Sequence, residues 1–440
     1  MTQNWYLPHN SHPTTLLYNA RIIDPATRAD IMGGILIKNG LIIDFGKHLF
    51  TKESIEAEIK HDIQQKLIVP GLLDIQVHFR DPGQTHKEDI ISGSKSAASG
   101  GITRVVCQPN TKPVIDSPAT LDYINYKAKA ESYIHIHSYA SISKNMEGKE
   151  LSEFALLKEH GAVGFTDDGL PVMNALMMRR ALEYSKILNV PIAQHAEDLN
   201  LTNGGAINEG VVSFELGVPG IPNASESVIV ARDIDLTRLT GGYYHVLHVS
   251  TKEAIKHIQL AKAEGLNVTC EVAPHHFLLT DQTVLEKGTL AKMNPPLRSE
   301  EDRLNLIDAI KQGVVDAIAT DHAPHDAASK DQPLTRATFG IVGLETMLPL
   351  SLELHFNYGV DLIDLISLMT NKPAEIIRVK AGQIAKNYPA DLTVIDLDLE
   401  WTIEAKKFAS RSNNTPFDGR KVRGRAIKTF VNGHLVYEFN

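Results

Sequence analysis

The stretch Asp74-Ile75-Gln76-Val77-His78-Phe79-Arg80 joins an apolar run to polar side chains at its end. On an extended strand Gln76 and His78 lie two apart and face the same side. Burying such groups is costly unless something pairs them, so the end of this strand needs a partner. The pattern recurs along the chain. From about residue 70 to 380, strand-like runs alternate with helical patterns, at 72–78, 103–108, 134–141, 162–166, 191–195, 244–248, 267–272 and 315–320. The first closes on Gln76, His78 and Arg80, the second on Asn110, the fourth on Asp167 and Asp168, the fifth on His195, the sixth on His248 and the eighth on Asp321 and His322. Eight successive βα units are what a closed (β/α)8 TIM barrel requires, with catalytic groups at the carboxyl ends of its strands. One histidine at a strand end can simply hydrogen-bond within the core. Repetition at strand after strand points instead to one shared site.

The flanks read differently. Leu16-Leu17-Tyr18, Ile35-Leu36-Ile37-Lys38 and Leu41-Ile42-Ile43-Asp44 are strand-like, with an Asn39-Gly40 hairpin signal between the last two. Near the far end, the runs 391–396 and 429–436 surround a second Asn-Gly pair. The expected fold is therefore α/β: a barrel over residues 70–380 and a small β-sandwich domain built from both termini, residues 1–69 and 381–440.

Bulk properties exclude several classes of function. The 440 residues carry a net charge of -9, without the basic block that nucleic-acid binding needs. Two cysteines, Cys107 and Cys270, are too few for a disulfide framework and fit a reducing cytoplasm. The polar start, residues 1–14, shows no signal core, and no membrane-length apolar segment follows. Imidazole and carboxylate donors without thiolate suit a divalent ion such as zinc with a position left for water, hence hydrolysis.

At this point the sequence resembles the dihydroorotases of the amidohydrolase superfamily over nearly its whole length. The resemblance rests on Asp74-Ile75-Gln76-Val77-His78-Phe79-Arg80-Asp81-Pro82-Gly83, Gln108-Pro109-Asn110-Thr111, Gly164-Phe165-Thr166-Asp167-Asp168-Gly169 and Gln194-His195-Ala196-Glu197-Asp198. It continues in His248-Val249-Ser250, Lys292-Met293-Asn294-Pro295-Pro296-Leu297-Arg298, Thr320-Asp321-His322-Ala323-Pro324-His325 and Phe339-Gly340-Ile341-Val342-Gly343-Leu344-Glu345-Thr346. It implies His78, Asp168, His195, His248 and Asp321 as ligands of one or two Zn2+ ions, with Asp168 bridging and Asp321 also the catalytic acid and base. Gln76 stands where the family usually has histidine, and as an amide it would be a neutral and weaker oxygen donor than imidazole. Arg80, Asn110 and His325 would bind a substrate carboxylate, while Asn294 and the backbone at Phe339 and Gly340 would meet a ring amide. The implied reaction is the reversible cyclisation of N-carbamoyl-L-aspartate to L-dihydroorotate in pyrimidine synthesis.

Two other readings compete. One is a catalytically silent homologue kept as a structural partner of aspartate carbamoyltransferase; the other is a cyclic amidase acting on allantoin or a hydantoin. Hydantoinases and many allantoinases use a carboxylated lysine on strand four, and this chain has none in residues 164–168. A homo-oligomer is expected. The competing reading of Arg80 is a salt bridge to Asp81 or Glu88, and that of Asn110 a turn after Pro109. Asp167 is expected to be structural, His275 and His276 to support the mouth, His322 to orient a ligand, and His245 to face the helices. His61, His86, His160 and His434 read as solvent or packing residues, and the loop 323–336 as a cover over substrate.

Overall fold

The computed structural model describes residues 2–8 and 12–440; residues 1 and 9–11 of the polar start lie outside that range. Apolar runs of the kind noted above form two parallel arcs. Leu72–Val77, Ile102–Cys107 and His135–Ser138 make one; Ile192–Gln194, Tyr244–Val246, Val268–Val272 and Ala317–Ile318 make the other. Single bridges join them into a ring: Phe165 pairs with both Ala140 and Ile192, and His322 pairs with Val77. The fourth expected strand is thus reduced to a bridging residue.

Alternation along the strands sorts the side chains into two layers. Val105, Cys107, Val246, Cys270, Val272 and Ile318 pack outward against helix residues such as Ala97, Leu121, Ile258 and Leu306. Leu73, Ile75, Val106, Tyr139, Ala193, Leu247 and Ala317 fill the interior. Helix starts are marked by caps: Asp89 accepts from Ser92 N–H at 2.8 Å before Ile90–Ser99, and Thr251 accepts from Ala254 N–H at 3.3 Å before Lys252–Ala263. Ser299 opens Glu300–Lys311, whose first turn carries Glu300, Glu301 and Asp302 against the helix dipole.

Both ends of the chain enter one connected nine-stranded sheet. Its central join is the antiparallel pairing of Leu67–Pro70 with Leu392–Thr402, so the strand that leads into the barrel is hydrogen-bonded to the strand that follows it. Bulges in Thr15–Asp24, Leu41–Gly46 and Leu392–Thr402 interrupt its ladders. A separate apolar core of Leu17, Ile22, Ile35, Ile68, Leu392, Val394 and Phe430 lies within this unit. Both Asn-Gly pairs are left-handed hairpin turns, with φ of 52° and 75° at Asn39 and Gly40 and 47° and 77° at Asn432 and Gly433. No helix among the described residues is long and apolar enough to cross a membrane.

Candidate active site

The polar strand ends converge on a cavity of about 490 Å³. His78, Arg80, Asn110, Asp168, His195, His248, Asn294, Asp321, His325, Phe339 and Gly340 all line it. Gln76 does not. Three of the lining residues are held with positive φ although none is glycine: Arg80 at 58°, His248 at 30° and Asp321 at 50°. Such conformations cost about 1–3 kcal/mol and persist where surrounding structure enforces them. Here they turn side chains at the strand ends toward the cavity.

Asp168 is the centre of the floor. Its Oδ2 lies 3.2 Å from His78 Nε2, and its Oδ1 lies 3.7 Å from both His195 Nδ1 and His248 Nε2. Asp321 Oδ1 completes the first side at 3.1 Å from His78 Nε2. Two buried triads result, Asp168 with His195 and His248, and His78 with Asp168 and Asp321, each with its candidate ligand atoms within 4.8 Å of one another. One carboxylate offering an oxygen to each triad is the arrangement a bridging ligand needs.

A metal ion fits this donor set. The gathered imidazole nitrogens and carboxylate oxygens are all buried within 4.8 Å of one another in each triad, and they are the donor types that suit a divalent ion. Outer partners fix the ring orientations. His78 Nδ1 lies 2.9 Å from Asn110 Oδ1, and His195 Nε2 lies 2.9 Å from Glu197 Oε2, leaving the opposite nitrogen of each ring for the floor. Burial works against charge on these groups, yet the hydrogen bonds of His78 to Asp168 and Asp321 raise its imidazole to about 9. Burial likewise opposes ionisation of Asp168, but His248 and His78 hold it well below the carboxylate range. Glu197, also opposed by burial, is brought down to about 2 by His195.

Gln76 is fully buried, and both atoms of its side-chain amide lack partners among the described residues. Its backbone N–H reaches Asp74 Oδ1 at 3.2 Å, beside an irregularity in strand pairing between Asp74 and Val77.

At the other end of the cavity Arg80 is free of the salt bridges that composition suggested. Asp81 is taken by Lys127 at 2.7 Å, Glu88 accepts from Ser410 and from Arg411 N–H, and Arg80 Nε has no partner among the described residues. Burial lowers its guanidinium to about 10, a value that still leaves it charged at neutral pH. His325 stands nearby, driven down to about 2 by burial and by the positive charge of Arg80, and therefore neutral. Asn294 Nδ2 donates to Glu197 Oε2 at 2.9 Å.

The remaining expectations divide. Asp167 accepts from Ser143 N–H at 3.0 Å and from the Ser143 hydroxyl, pinning a loop. His276 Nε2 donates to Pro295 O at 2.9 Å, bracing the segment that carries Asn294. The imidazole of His322 meets Glu88 at 3.4 Å and accepts from Gly343 N–H at 3.1 Å, so its side chain does not orient a ligand; its carbonyl receives His78 N–H at 2.8 Å. His245 does not face the helices. It shares the inward side with Leu247 and contacts Thr269 Oγ1 at 2.8 Å and Glu271 Oε2 at 3.1 Å. Strand parity does not carry through to His248, because the strand stops at Val246 and the positive φ of His248 breaks the alternation. Burial drives His245 down to about 3 and Glu271 up to about 8, which makes their contact one between mainly neutral groups at pH 7. Glu197 and Lys292 stood in quoted motifs without a role; of the wall that lines the cavity, Thr335 and Arg336 fall in the loop expected to cover substrate, while Ala337 and Thr338 lie beyond it. Nothing in their spacing announces the site.

A parallel barrel with buried histidine and aspartate triads at its strand ends has the form of a metal-dependent barrel enzyme, and the comparisons with known proteins make that class the cyclic amidohydrolases. A family profile described as Dihydro-orotase-like matches residues 65–254. The chain is 55% identical to the dihydroorotase of Ehrlichia chaffeensis, over 99% of this chain and 98% of that one. It is also 55% identical to that of Wolbachia sp. subsp. Brugia malayi, over 99% of each. The chain belongs to the dihydroorotase family. Among solved structures it is similar to the L-hydantoinase (dihydropyrimidinase) of Arthrobacter aurescens, with a TM-score of 0.87, 25% identity and 96% and 95% of the two chains covered.

Proposed function

We propose that this chain is a dihydroorotase that interconverts N-carbamoyl-L-aspartate and L-dihydroorotate with zinc at its floor, in pyrimidine synthesis. The observation that carries this reading is the unpaired Arg80 in the same cavity as the two triads that share Asp168. A cation able to take a carboxylate stands opposite a centre able to open a cyclic amide.

Asp168, His195 and His248 would hold one ion, and His78, Asp168 and Asp321 a second, with Gln76 beside the second as a neutral and weaker donor. Such an ion supplies Lewis acidity and turns water into a nucleophile near neutral pH. The chain's own groups do the rest. Asp321 takes the proton that water releases on attacking the ring carbonyl carbon and delivers it to the ring nitrogen as the C–N bond breaks. In the cyclising direction the same carboxylate accepts that nitrogen's proton as the C–N bond forms and returns it to the departing carboxyl oxygen, which leaves as water. Arg80 meets the carboxylate that does not react, through two parallel N–H bonds, with Asn110 and His325 beside it. Asn294, whose Nδ2 is engaged by Glu197, leaves its carbonyl oxygen for a ring N–H, and the backbone at Phe339 and Gly340 closes that side.

The division into a catalytic body of residues 70–380 and a support from residues 1–69 and 381–440 belongs to the same proposal. So do self-association and a complex with aspartate carbamoyltransferase, which light scattering and co-purification would test. The two cysteines are free and buried, which suits the proposed cytoplasmic location. The decisive experiment is to purify the protein with added zinc, count metal per chain, and assay dihydroorotate beside allantoin and hydantoin. Turnover of dihydroorotate alone is expected. Metal-loaded protein that fails to hydrolyse it would refute the proposal.

A further inference from the structure

Between strands Leu392–Thr402 and Lys421–Val431 the chain leaves the sheet and crosses the barrel mouth as a strap, residues 409–417. Ser410, Ser412, Asn414 and Thr415 of this strap are buried. Its first part grips the segment that follows Arg80: Ser410 Oγ and Arg411 N–H donate to Glu88, and Ser412 Oγ donates to Lys87 O at 2.7 Å. Asn414 grips the opposite wall. Its Nδ2 donates to the carbonyls of Ala323 and Gly340, each at 3.1 Å, and its Oδ1 accepts from His325 N–H at 3.0 Å. Its own carbonyl receives Val342 N–H at 2.9 Å.

The two segments tied by Asn414 are in close approach. Gly340 has φ of 116°, and a Cβ there would stand 2.5 Å from Ala323 Cβ, so only glycine lets the chains come this near. One amide therefore fixes the backbone of two residues assigned above to substrate, His325 and Gly340, while not itself lining the cavity.

We propose that Asn414 is a positioning residue of the substrate pocket: it sets His325 and Gly340 where they meet the carboxylate and ring amide, without touching substrate. This rests on the dihydroorotase reading above. An asparagine serving structure alone would change how much protein folds and leave the kinetics of the folded fraction unaltered. A positioning residue changes binding in protein that is folded and loaded with metal.

The test compares metal-loaded wild type with Asn414→Asp and Asn414→Ala. Aspartate keeps an acceptor for His325 N–H but sets a carboxylate oxygen against two carbonyls. Both variants are expected to raise KM for dihydroorotate at least about tenfold, with kcat within about threefold and unchanged metal per chain. Calorimetric binding of N-carbamoyl-L-aspartate should weaken by the same factor. Folded, metal-loaded variants with wild-type KM and affinity would overturn the proposal. Should alanine fail to fold, the aspartate variant, equal in size, decides; failure of both to fold would overturn positioning in favour of a structural role. A wild type that binds N-carbamoyl-L-aspartate but turns over no dihydroorotate removes the activity reading, while the calorimetric comparison still decides Asn414.

Discussion

Arg80 is half-buried, and its enclosed Nε finds no partner among the described residues, an arrangement that a ligand in the cavity would complete. Lysine would keep the charge but lose the planar fork. Arg80→Lys should raise KM for dihydroorotate by roughly 10–100-fold, the worth of one charge-assisted hydrogen bond, and leave metal content untouched. Steady-state kinetics beside metal analysis checks both halves. Gln76 poses the converse question, since its buried amide also lacks partners but carries no charge. An imidazole in its place should strengthen the position shared by His78, Asp168 and Asp321. Gln76→His is expected to raise zinc per chain and kcat together, and no change in either would show that residue 76 is not a ligand. Glu197 acts at one remove by holding His195 Nε2 at 2.9 Å. Glu197→Gln should weaken zinc affinity by about 10–100-fold, read by competition with a chelator, with the folded state kept.

At the scale of elements, the barrel was legible because its strands are buried on both faces and so read as apolar runs ending in polar residues. The runs at 72–78 and 103–108 became Leu72–Val77 and Ile102–Cys107 almost unchanged. The run at 162–166 kept its place in the ring but only Phe165 forms a bridge, since pattern marks burial and not how long a ladder lasts. The loops were much less legible, because their partners are backbone carbonyls brought from elsewhere in the chain. Lys330 shows why. It looks like a surface cation in sequence, yet it is buried, and its Nζ donates to Lys292 O at 3.0 Å and to Thr338 O and Gly340 O at 2.9 Å. These bonds pin the segment after strand eight, residues 323–340, against the one that carries Asn294. Lys330→Met keeps most of the bulk and removes all three bonds. It should open the segment 326–338 to proteolysis and lower thermal stability by about 2–4 kcal/mol, the penalty for leaving buried carbonyls unpaired. Limited digestion followed by mass mapping of the cut sites would show a resistant segment if Lys330 is dispensable.

For the whole molecule, the question is what holds barrel and sheet together so that a strap from one can shape the mouth of the other. Asp391 lies at the join. Its carboxylate meets Arg104 of the second barrel strand at 3.1 Å and His135 of the third at 3.2 Å, and accepts from Asn432 N–H at 2.8 Å in the second Asn-Gly turn. Its carbonyl takes Gly71 N–H at 2.8 Å, where the chain enters the barrel. Burial opposes its ionisation, but His135 and Arg104 outweigh burial and bring it to about 2. The unfolded chain has an ordinary aspartate near 3.9, so it binds more protons than the folded chain between those values, and stability there rises with pH. The shift contributes roughly 2–3 kcal/mol, fully present above about pH 5 and lost as pH falls through 4 toward 2. Asp391→Asn removes that contribution and leaves Arg104 buried without its carboxylate, a loss of about 3–5 kcal/mol at neutral pH. Thermal midpoints of wild type and variant should therefore stand well apart at pH 7 and draw together as both are acidified below pH 4. A gap that stays constant down to pH 3 would show that the charge of Asp391 does not hold the two parts together.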